Sequence, residues 1–551
     1  MKLNYKRVVL IGLAFFIIQL FWQTYDTIIP KILNDKFGMS QFLSGIIMSL
    51  DNLLALFMLP LFGTISDRTK TKWGRRKPFI IAGTVVACAL FVTLTVSDNL
   101  QMKHINESVN GRFDAVLSGE DSEERRDILG ILYDKNCGKV QDAFEPRLPG
   151  MNSQIKVTRD LFVLSGNIAP DSARVDEFRR IIGDAEGELK GYLSRLESFY
   201  QKLTVEARQD YAWRQTTARP FPIILFIGLL FLLLLAMSTF RSPAVALMPD
   251  ITPKPLRSKG NAVVNMLSAV AIAIVIILGV IFGTGKPENA LMNYFPFFLT
   301  VAGIMLAALA VFTFTVREPE WVADADRISR EYNVNNEEEE ELAKQHKRHL
   351  TKGELRSLIF LLLSVAFWFI GYNSVQSKYS IYAGDVLGLD FNSALLVGGA
   401  VTMLAFVPVT VLSTKIGRKK TILIGIGLLC VSFLSGSFLR NTSPVWLINV
   451  VFGLSGIGWT AISINSFPMV VELATGSDVG RYTGFYYSAS MAAQIVAPVL
   501  GGAFMDIRKE FLFPFATVFV VLSFITMLFV KHGDSKPVPK KGLLENLGDA
   551  D

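Results

Sequence analysis

The chain has 551 residues, of which 51% are hydrophobic and only 19% are charged. Soluble domains carry about 25% charged residues, so this composition argues against a large water-soluble enzyme. The formal net charge of +7 is typical of basic loops in membrane proteins, and we expect no nucleic-acid partner. The chain has only 4 His, which argues against a His-ligated metal centre. Its 3 Cys form no CxxC motif, and they are too few for a disulfide framework.

Apolar stretches recur along the chain at the length that a transmembrane helix needs, about 20 residues. They predict an all-α membrane protein that spans a bilayer twelve times. The predicted spans are 8–29, 42–64, 78–97, 219–241, 261–283, 292–315, 357–376, 391–412, 421–439, 445–467, 483–504 and 512–530.

Loops rich in Lys and Arg alternate along the chain with loops that have few of these residues. In membrane proteins the distribution of basic residues determines which side each loop lies on. The loops after the second and eighth spans are rich, with basic residues concentrated in 68–77 and 415–420. The intervening loops hold few. This alternation predicts a multi-pass protein of the cell membrane with both termini in the cytoplasm.

Residues 98–218 interrupt the apolar pattern with a polar insertion, which the alternation places outside the cell between spans three and four. Apolar residues from Phe178 to Leu203 recur at helical spacing and predict a helical segment. Three readings stay open: a cap that packs on itself, a module that captures substrate or a partner, or disorder. The charged segment 317–356 is predicted to be a cytoplasmic linker.

Two loop pairs reveal an internal repeat. Gly74-Arg75-Arg76-Lys77 returns as Gly417-Arg418-Lys419-Lys420, and the carboxylate of Asp250 returns as Glu472. Once the insertion is removed, both pairs have the same offset, which predicts two six-helix halves of one topology. The predicted domains are an N-terminal bundle of 1–97 and 219–316, the extracytoplasmic insertion 98–218, the linker 317–356, a C-terminal bundle of 357–531 and a cytoplasmic tail of 532–551.

The loop after the second span carries a family resemblance. Gly63-Thr64-Ile65-Ser66-Asp67-Arg68-Thr69, followed by Trp73-Gly74-Arg75-Arg76-Lys77-Pro78, resembles the signature loop of the major facilitator superfamily. This form, with Arg241 to Asp250 and Gly260-Asn261-Ala262, is most similar to the sucrose/proton symporters and the related glycoside–pentoside–hexuronide:cation symporters. The resemblance covers all twelve spans and leaves the insertion unmatched. It implies two pseudo-symmetric six-helix bundles and a small-molecule substrate, with a sugar as the expected class.

One departure concerns the coupling ion. In the melibiose-permease type a carboxylate precedes the proline near the end of the second span, whereas here Leu59 precedes Pro60. A proton is therefore the expected coupling ion, with sodium as the alternative, and no other cofactor or metal is expected.

Two carboxylates lie well inside predicted spans, Asp26 and Asp51. A charged carboxylate costs about 2.5–3.5 kcal/mol at the bilayer centre on an insertion scale, so both are expected to face a cavity. A carboxylate that alternates between charged and neutral forms can carry a proton. We assign proton coupling to both, against the alternative of a buried structural anchor.

Amide and aromatic side chains share faces with these groups. Gln23 and Trp22 lie three and four residues before Asp26, and a second row runs along the seventh span at a spacing of four. Rings and amides suit the C–H faces and hydroxyls of a sugar, although bundle packing is the commoner role for the rings. The predicted substrate residues are Trp22, Gln23, Asn52, Trp368, Tyr372, Asn373, Gln376 and Gln494.

The resemblance also implies a cytoplasmic gate, in which charge pairs form in one state of the carrier and break in the other. Arg241 has a second reading, in which it reaches into the cavity. The gate residues implied are Asp67, Arg68, Arg75, Arg76, Arg241, Asp250, Glu472 and Arg481.

These features predict a secondary transporter, a sugar or glycoside:proton symporter that works by alternating access as a monomer in the lipid bilayer. One alternative is a facilitator-type carrier of amphipathic or lipid-like molecules. Another is a non-transporting membrane sensor that uses the outer insertion. An enzyme is the least favoured class, because the sequence presents neither a nucleophile with its base nor a nucleotide-binding loop.

Overall fold

A computed structural model describes residues 3–117, 209, 212–253, 256–286, 289–331, 351–440, 443–473 and 479–533. Most of the insertion, including its apolar stripe from Phe178 to Leu203, lies outside the described residues, as do 332–350 and the tail from 534. Contacts divide the chain into a large unit of Met1–Asn34, Met39–Asp98 and Ile223–Asp551 and a smaller unit of Asp35–Gly38 and Asn99–Pro222.

Long helices make up the described chain. Twelve of those within the described ranges are long and apolar enough to cross a membrane, which confirms the predicted all-α architecture. The helices are α1 (Tyr5–Lys31), α2 (Gln41–Arg68), α3 (Lys77–Leu117), α4 (Phe221–Ile251), α5 (Arg257–Phe282), α6 (Phe295–Thr315), α7 (Glu318–Glu331), α8 (Lys352–Tyr382), α9 (Phe391–Ile416), α10 (Arg418–Gly436), α11 (Val445–Glu472), α12 (Val479–Ile507) and α13 (Leu512–Leu528).

The first helix of each half ends in the same irregular way. A five-residue π-helical turn is followed by a glycine with positive φ, a conformation that costs glycine little, and then by the residue that caps the next helix. These features are Ile32–Lys36, Gly38 (φ 65°) and Ser40 after α1, and Ala383–Leu387, Gly388 (φ 64°) and Asp390 after α8.

In the smaller unit, two polar side chains hold α3 beside the turn that follows α1. The side-chain amide of Gln101 donates to the carbonyl oxygen of Lys36 at 3.0 Å and to the hydroxyl of Thr216 at 2.9 Å. Thr216 in turn donates to the carbonyl oxygen of Phe37 at 2.9 Å. These bonds give two backbone carbonyls of the irregular turn side-chain donors.

The predicted linker 317–356 is shorter in the structure, because its first part forms helix α7. Glu318, only 1% exposed, begins this helix and caps the N-terminus of α3. Its carboxylate accepts the backbone N–H groups of Arg75 (2.8 Å), Arg76 (2.9 Å) and Lys77 (2.8 Å). Gly74 has a φ of 109° and lies so close to Glu318 that an added Cβ would clash with its carboxylate. An anionic cap at a helix N-terminus is favourable.

Helix α7 is also fastened to α1. Arg7 forms an ion pair with Asp324 at 2.9 Å, and its guanidinium lies 5.3 Å from the ring centroid of Trp321. The charged linker therefore begins only after a helix that contacts both α1 and α3. Sequence reasoning missed this role, since hydropathy alone marks 318–331 as solvent-exposed.

Replacing Glu318 with Ala is expected to lower stability by about 2–4 kcal/mol, because three backbone N–H groups, those of buried Arg76 and half-buried Arg75 and Lys77, lose a charged acceptor. The measurement is thermal unfolding in detergent micelles. Glu320→Ala is the matched control, since that side chain is 64% exposed and its surface ion pair should contribute less than about 1 kcal/mol. Equal melting temperatures for the two variants would contradict the capping role.

Within the described residues, the helix pairs that join the two halves, α1–α6 and α8–α13, include α2 with α12, α5 with α9 and α1 with α8. We call the end of the bundle that holds residues 69–76 and Gly417 the basic-loop face. The end that holds residues 39–40 and 388–390 is the opposite face. The side chain of Asn392 reaches Thr284 across the halves at 3.5 Å, at the opposite face.

Candidate substrate cavity and gate

A cavity of about 470 Å³ lies between the halves. Helices α1 and α5 line it from the first half and α8–α11 from the second. Its polar lining includes Gln23, Asn265, Tyr372 and Gln376, while much of the remaining wall is apolar and comes from α5 and α9. Cavities of this size that combine apolar walls with a few polar groups are typical small-molecule sites.

Gln23 is 8% exposed, and no described residue hydrogen-bonds its side-chain amide. An unsatisfied amide is costly in a low-dielectric interior, so a ligand or water is the expected partner. Tyr372 and Gln376 lie one turn apart on α8 and line the same cavity. The structure thus brings together three of the predicted substrate residues.

Trp459 of α11 provides an aromatic wall that sequence reasoning missed. Its ring stacks on Tyr372, with centroids 4.1 Å apart and planes at 24°. Trp368 meets Trp459 edge-on at 5.1 Å. Trp459 and Tyr372 both line the cavity, so this pair presents an aromatic surface to a bound ligand.

The other five predicted substrate residues do not line this cavity. Trp22 and Asn52 lie with the charged cluster on the N-terminal half. Trp368 is 1% exposed because its ring is packed against Phe369 and Trp459. The amide of Asn373 donates to the carbonyl oxygen of Phe369 at 2.9 Å, so its own helix satisfies it. Gln494 lies on α12, which packs against α8 but contributes no residue to the cavity lining.

A charged cluster lies on the N-terminal half, one turn from Gln23. Asp26 interacts electrostatically with Asp51 and with Arg241. The guanidinium of Arg241 also lies 5.1 Å from the ring centroid of Trp22, within the range of a cation–π contact. The amide of Asn52 donates to Asp51 at 2.9 Å. Two carboxylates and one guanidinium, all half-buried, thus lie together between α1, α2 and α4.

The position of Arg241 is a correction to its assignment to the gate. Helix α4 continues to Ile251, ten residues beyond the predicted span, so Arg241 lies inside the helix rather than in the loop. The structure places it with Trp22, Asp26 and Asp51, one turn from the cavity residue Gln23 but outside the cavity lining itself.

Four of the implied gate residues form one network at the basic-loop face. Asp250 pairs with Arg75 at 2.9 Å and with Nε of Arg76 at 3.0 Å. Arg76 also pairs with Asp67 at 2.5 Å and donates to the hydroxyl of Ser66 at 2.5 Å. The side chain of Arg76 is 5% exposed, so this network ties α2, α3 and α4 together within the first half.

The repeat reappears in three dimensions. Arg418 pairs with Glu472 at 2.5 Å, and these two residues stand at the positions that correspond to Arg75 and Asp250. The ion pair is therefore duplicated, one copy in each half. Two other implied gate residues lie apart from these pairs: Arg68 is exposed, and Arg481 lies over the ring of Phe485 at 5.5 Å.

Comparisons with known proteins agree with this architecture. The family model of the Major Facilitator Superfamily matches residues 216–474 and 399–547. A second model, described as MFS/sugar transport protein, matches residues 10–102. A lactose permease of Lactobacillus helveticus is 44% identical over 48 residues, which is 9% of this chain and 8% of the permease.

Solved structures show the same fold. The inward-open xylose transporter XylE of E. coli covers 99% of both chains with a TM-score of 0.54 and 12% identity. A peptide transporter POT in complex with sulfate covers 95% of this chain and 94% of its own, with a TM-score of 0.54 and 12% identity. The matched models cover more than half of the sequence, and the chain belongs to the major facilitator superfamily of membrane transporters.

Proposed function

We propose that the protein is a secondary transporter that moves a sugar or glycoside together with a proton by alternating access. The observation that carries the proposal is the cluster of Asp26, Asp51 and Arg241 beside a cavity lined by Gln23, Tyr372 and Trp459. The sugar-transport family model covers α1 and α2, which hold both carboxylates. The lactose permease and the xylose transporter among the similar proteins support the same substrate class.

The cluster supports proton coupling because its charges do not balance. One guanidinium faces two carboxylates, so one proton on either Asp26 or Asp51 would leave a neutral group. Charged groups at membrane depth are costly unless they are paired. Coupled movement requires that the carrier with both sugar and proton, and the empty carrier, cross between the two states, while the carrier that holds only one of them does not. A carboxylate that alternates between charged and neutral forms can enforce this rule, because burying it charged is unfavourable.

The aromatic and amide lining supports a sugar. The face of Trp459 suits the C–H face of a pyranose ring, and the amides of Gln23 and Gln376 can both donate to and accept from hydroxyls. The described cavity offers these groups on opposing helices, α1 and α8. A bound sugar would thereby bridge the two halves.

The second candidate is a carrier of amphipathic molecules. It is favoured by the apolar wall of the cavity, to which α5 contributes Met266 and Ile272 and α9 contributes Leu396 and Met403. Hydroxyls that faced this wall would lose hydrogen bonds to water without replacing them. Membership in a transporter superfamily favours either carrier over the non-transporting sensor.

The deciding experiment is uptake into proteoliposomes with simultaneous recording of external pH. The panel contains labelled mono- and disaccharides, alkyl glycosides and lysolipids. Sugar uptake that alkalinises the medium would support the symporter. Uptake confined to alkyl glycosides or lysolipids, without a pH change, would support the second candidate. A matched run with a sodium gradient separates the two coupling ions.

The orientation is part of the proposal: the basic-loop face and both termini inside, the opposite face outside, and the protein in the cell membrane as a functional monomer. A membrane-impermeant thiol reagent should label Cys137 in intact cells once Cys88 and Cys430 are replaced. In the same background without Cys137, Lys70→Cys, an exposed position at the basic-loop face, should react only after permeabilisation. The reverse pattern would overturn the orientation.

A further inference from the structure

The first turn of α2 is held by two charged side chains from the other half. The carboxylate of Asp506, at the end of α12, accepts the backbone N–H of Gln41 at 2.6 Å and that of Phe42 at 2.8 Å. The ammonium of Lys378, on α8, donates to the carbonyl oxygen of Gln41 at 2.8 Å. Both backbone groups of Gln41 are therefore bound by charges from the C-terminal half.

These bonds belong to the stronger class, since each has one charged partner. Asp506 also meets the partial positive charge at the N-terminus of α2. Lys378 is 0% exposed, and a buried ammonium must keep its acceptors or regain water. Because Lys378 and Asp506 lie in the same half and interact electrostatically, they remain partners for each other when the halves separate.

The backbones of α2 and α12 approach so closely that only glycine fits at the contact. A Cβ added to Gly45 would clash with the carbonyl oxygen of Pro498, and one added to Gly502 would clash with that of Gln41. A tight helix contact of this kind places the carboxylate of Asp506 within reach of the α2 N–H groups. The contact lies at the opposite face, so it must open before the cavity can open there.

We propose that Lys378 and Asp506 form an outer latch, a pair of charges that grips the backbone of Gln41 and selects the state that is closed at the opposite face. The inference rests on the alternating access of the proposed function. Removal of either charge should populate the state that is open at the opposite face. The proton-coupling cluster on α1, α2 and α4 is separate from this latch.

Double electron–electron resonance on the full chain in nanodiscs tests the latch directly. Spin labels replace Phe295 and Phe438, which are 39% and 73% exposed and mark the opposite face in different halves, after all three cysteines are replaced. Asp506→Asn and Lys378→Met should each increase the ratio of long to short distances by at least about tenfold. If one of the two variants does not fold, the distances measured in the other are sufficient to test the latch.

The matched control is Lys509→Met with Asp385→Asn. This ion pair, 2.7 Å long, lies at the same face but within the C-terminal half, so its removal should leave the distances unchanged. Latch variants with wild-type distances, or control variants with an equal shift, would overturn the proposal. The readout needs no substrate, so failure to transport any sugar would contradict the proposed function and leave the test of the latch intact.

Discussion

Asp51→Asn and Asp26→Asn are expected to abolish sugar accumulation against a gradient, with the internal concentration falling to the external one. Asparagine cannot alternate between charged and neutral forms, so the carrier loses the penalty of about 2.5–3.5 kcal/mol that keeps the form with bound sugar but no proton from crossing. Exchange of labelled sugar between equal pools needs no net proton movement and should persist. The measurement pairs sugar-dependent alkalinisation with equilibrium exchange in proteoliposomes.

The conservative control is Glu at each position, which keeps an ionisable carboxylate and should retain part of the coupling. Asp385→Asn removes a carboxylate at the opposite face, in an ion pair with Lys509, and should leave coupling intact. If both Asn variants still accumulate sugar in a proton-dependent way, the cluster does not couple transport to protons. A sodium ion or an uncoupled carrier would then replace the proposed mechanism.

Trp459→Ala is expected to raise the KM for sugar uptake roughly 10- to 150-fold. This range corresponds to about 1.5–3 kcal/mol for the apolar contact of one large side chain. Tyr372→Phe keeps the stacked ring and removes only the hydroxyl, so its effect should be smaller. The measurement is initial uptake rate against sugar concentration.

Trp446→Ala is the matched control, because it removes the same side chain from the same helix at a position that is 65% exposed. Its KM should equal that of the wild type. Equal KM values for Trp459→Ala and the wild type would remove the aromatic wall from the binding site. They would also favour the amphipathic alternative, in which the apolar surface of α5 and α9 supplies the main contact.

The membrane helices and their repeat were predictable, since hydrophobicity over about 20 residues reports burial in lipid. The ends of the helices were less predictable from the sequence. The predicted fourth span stops at Arg241 because a charge lowers local hydropathy, yet α4 continues to Ile251. Arg241, the residue at which the predicted span ended, is also the one that interacts with Asp26 and Asp51. The charge of this side chain therefore hid the true length of α4 from the hydropathy pattern.

The candidate site was predictable only in part. A spacing of four correctly groups Trp368, Tyr372 and Gln376 on one face of α8, but it does not say how far along the helix the cavity extends. Trp459 occupies the space in front of Trp368, and no local pattern pairs these two residues. Glu318 was missed for a similar reason, since its partners at the start of α3 are distant in sequence.

Because α7 is bound to α1 and α3, the covalent connection between the two halves of the carrier begins only after this helix. The chain leaves the first half at Glu331 and enters the second at Lys352, and the intervening residues can span roughly 65–70 Å when extended. Among the described residues, contacts between the halves run through α1, α2 and α5 on one side and α8, α9 and α12 on the other. A protein cut within 332–350, or expressed as two polypeptides, would keep those contacts, and its cohesion would depend on them alone.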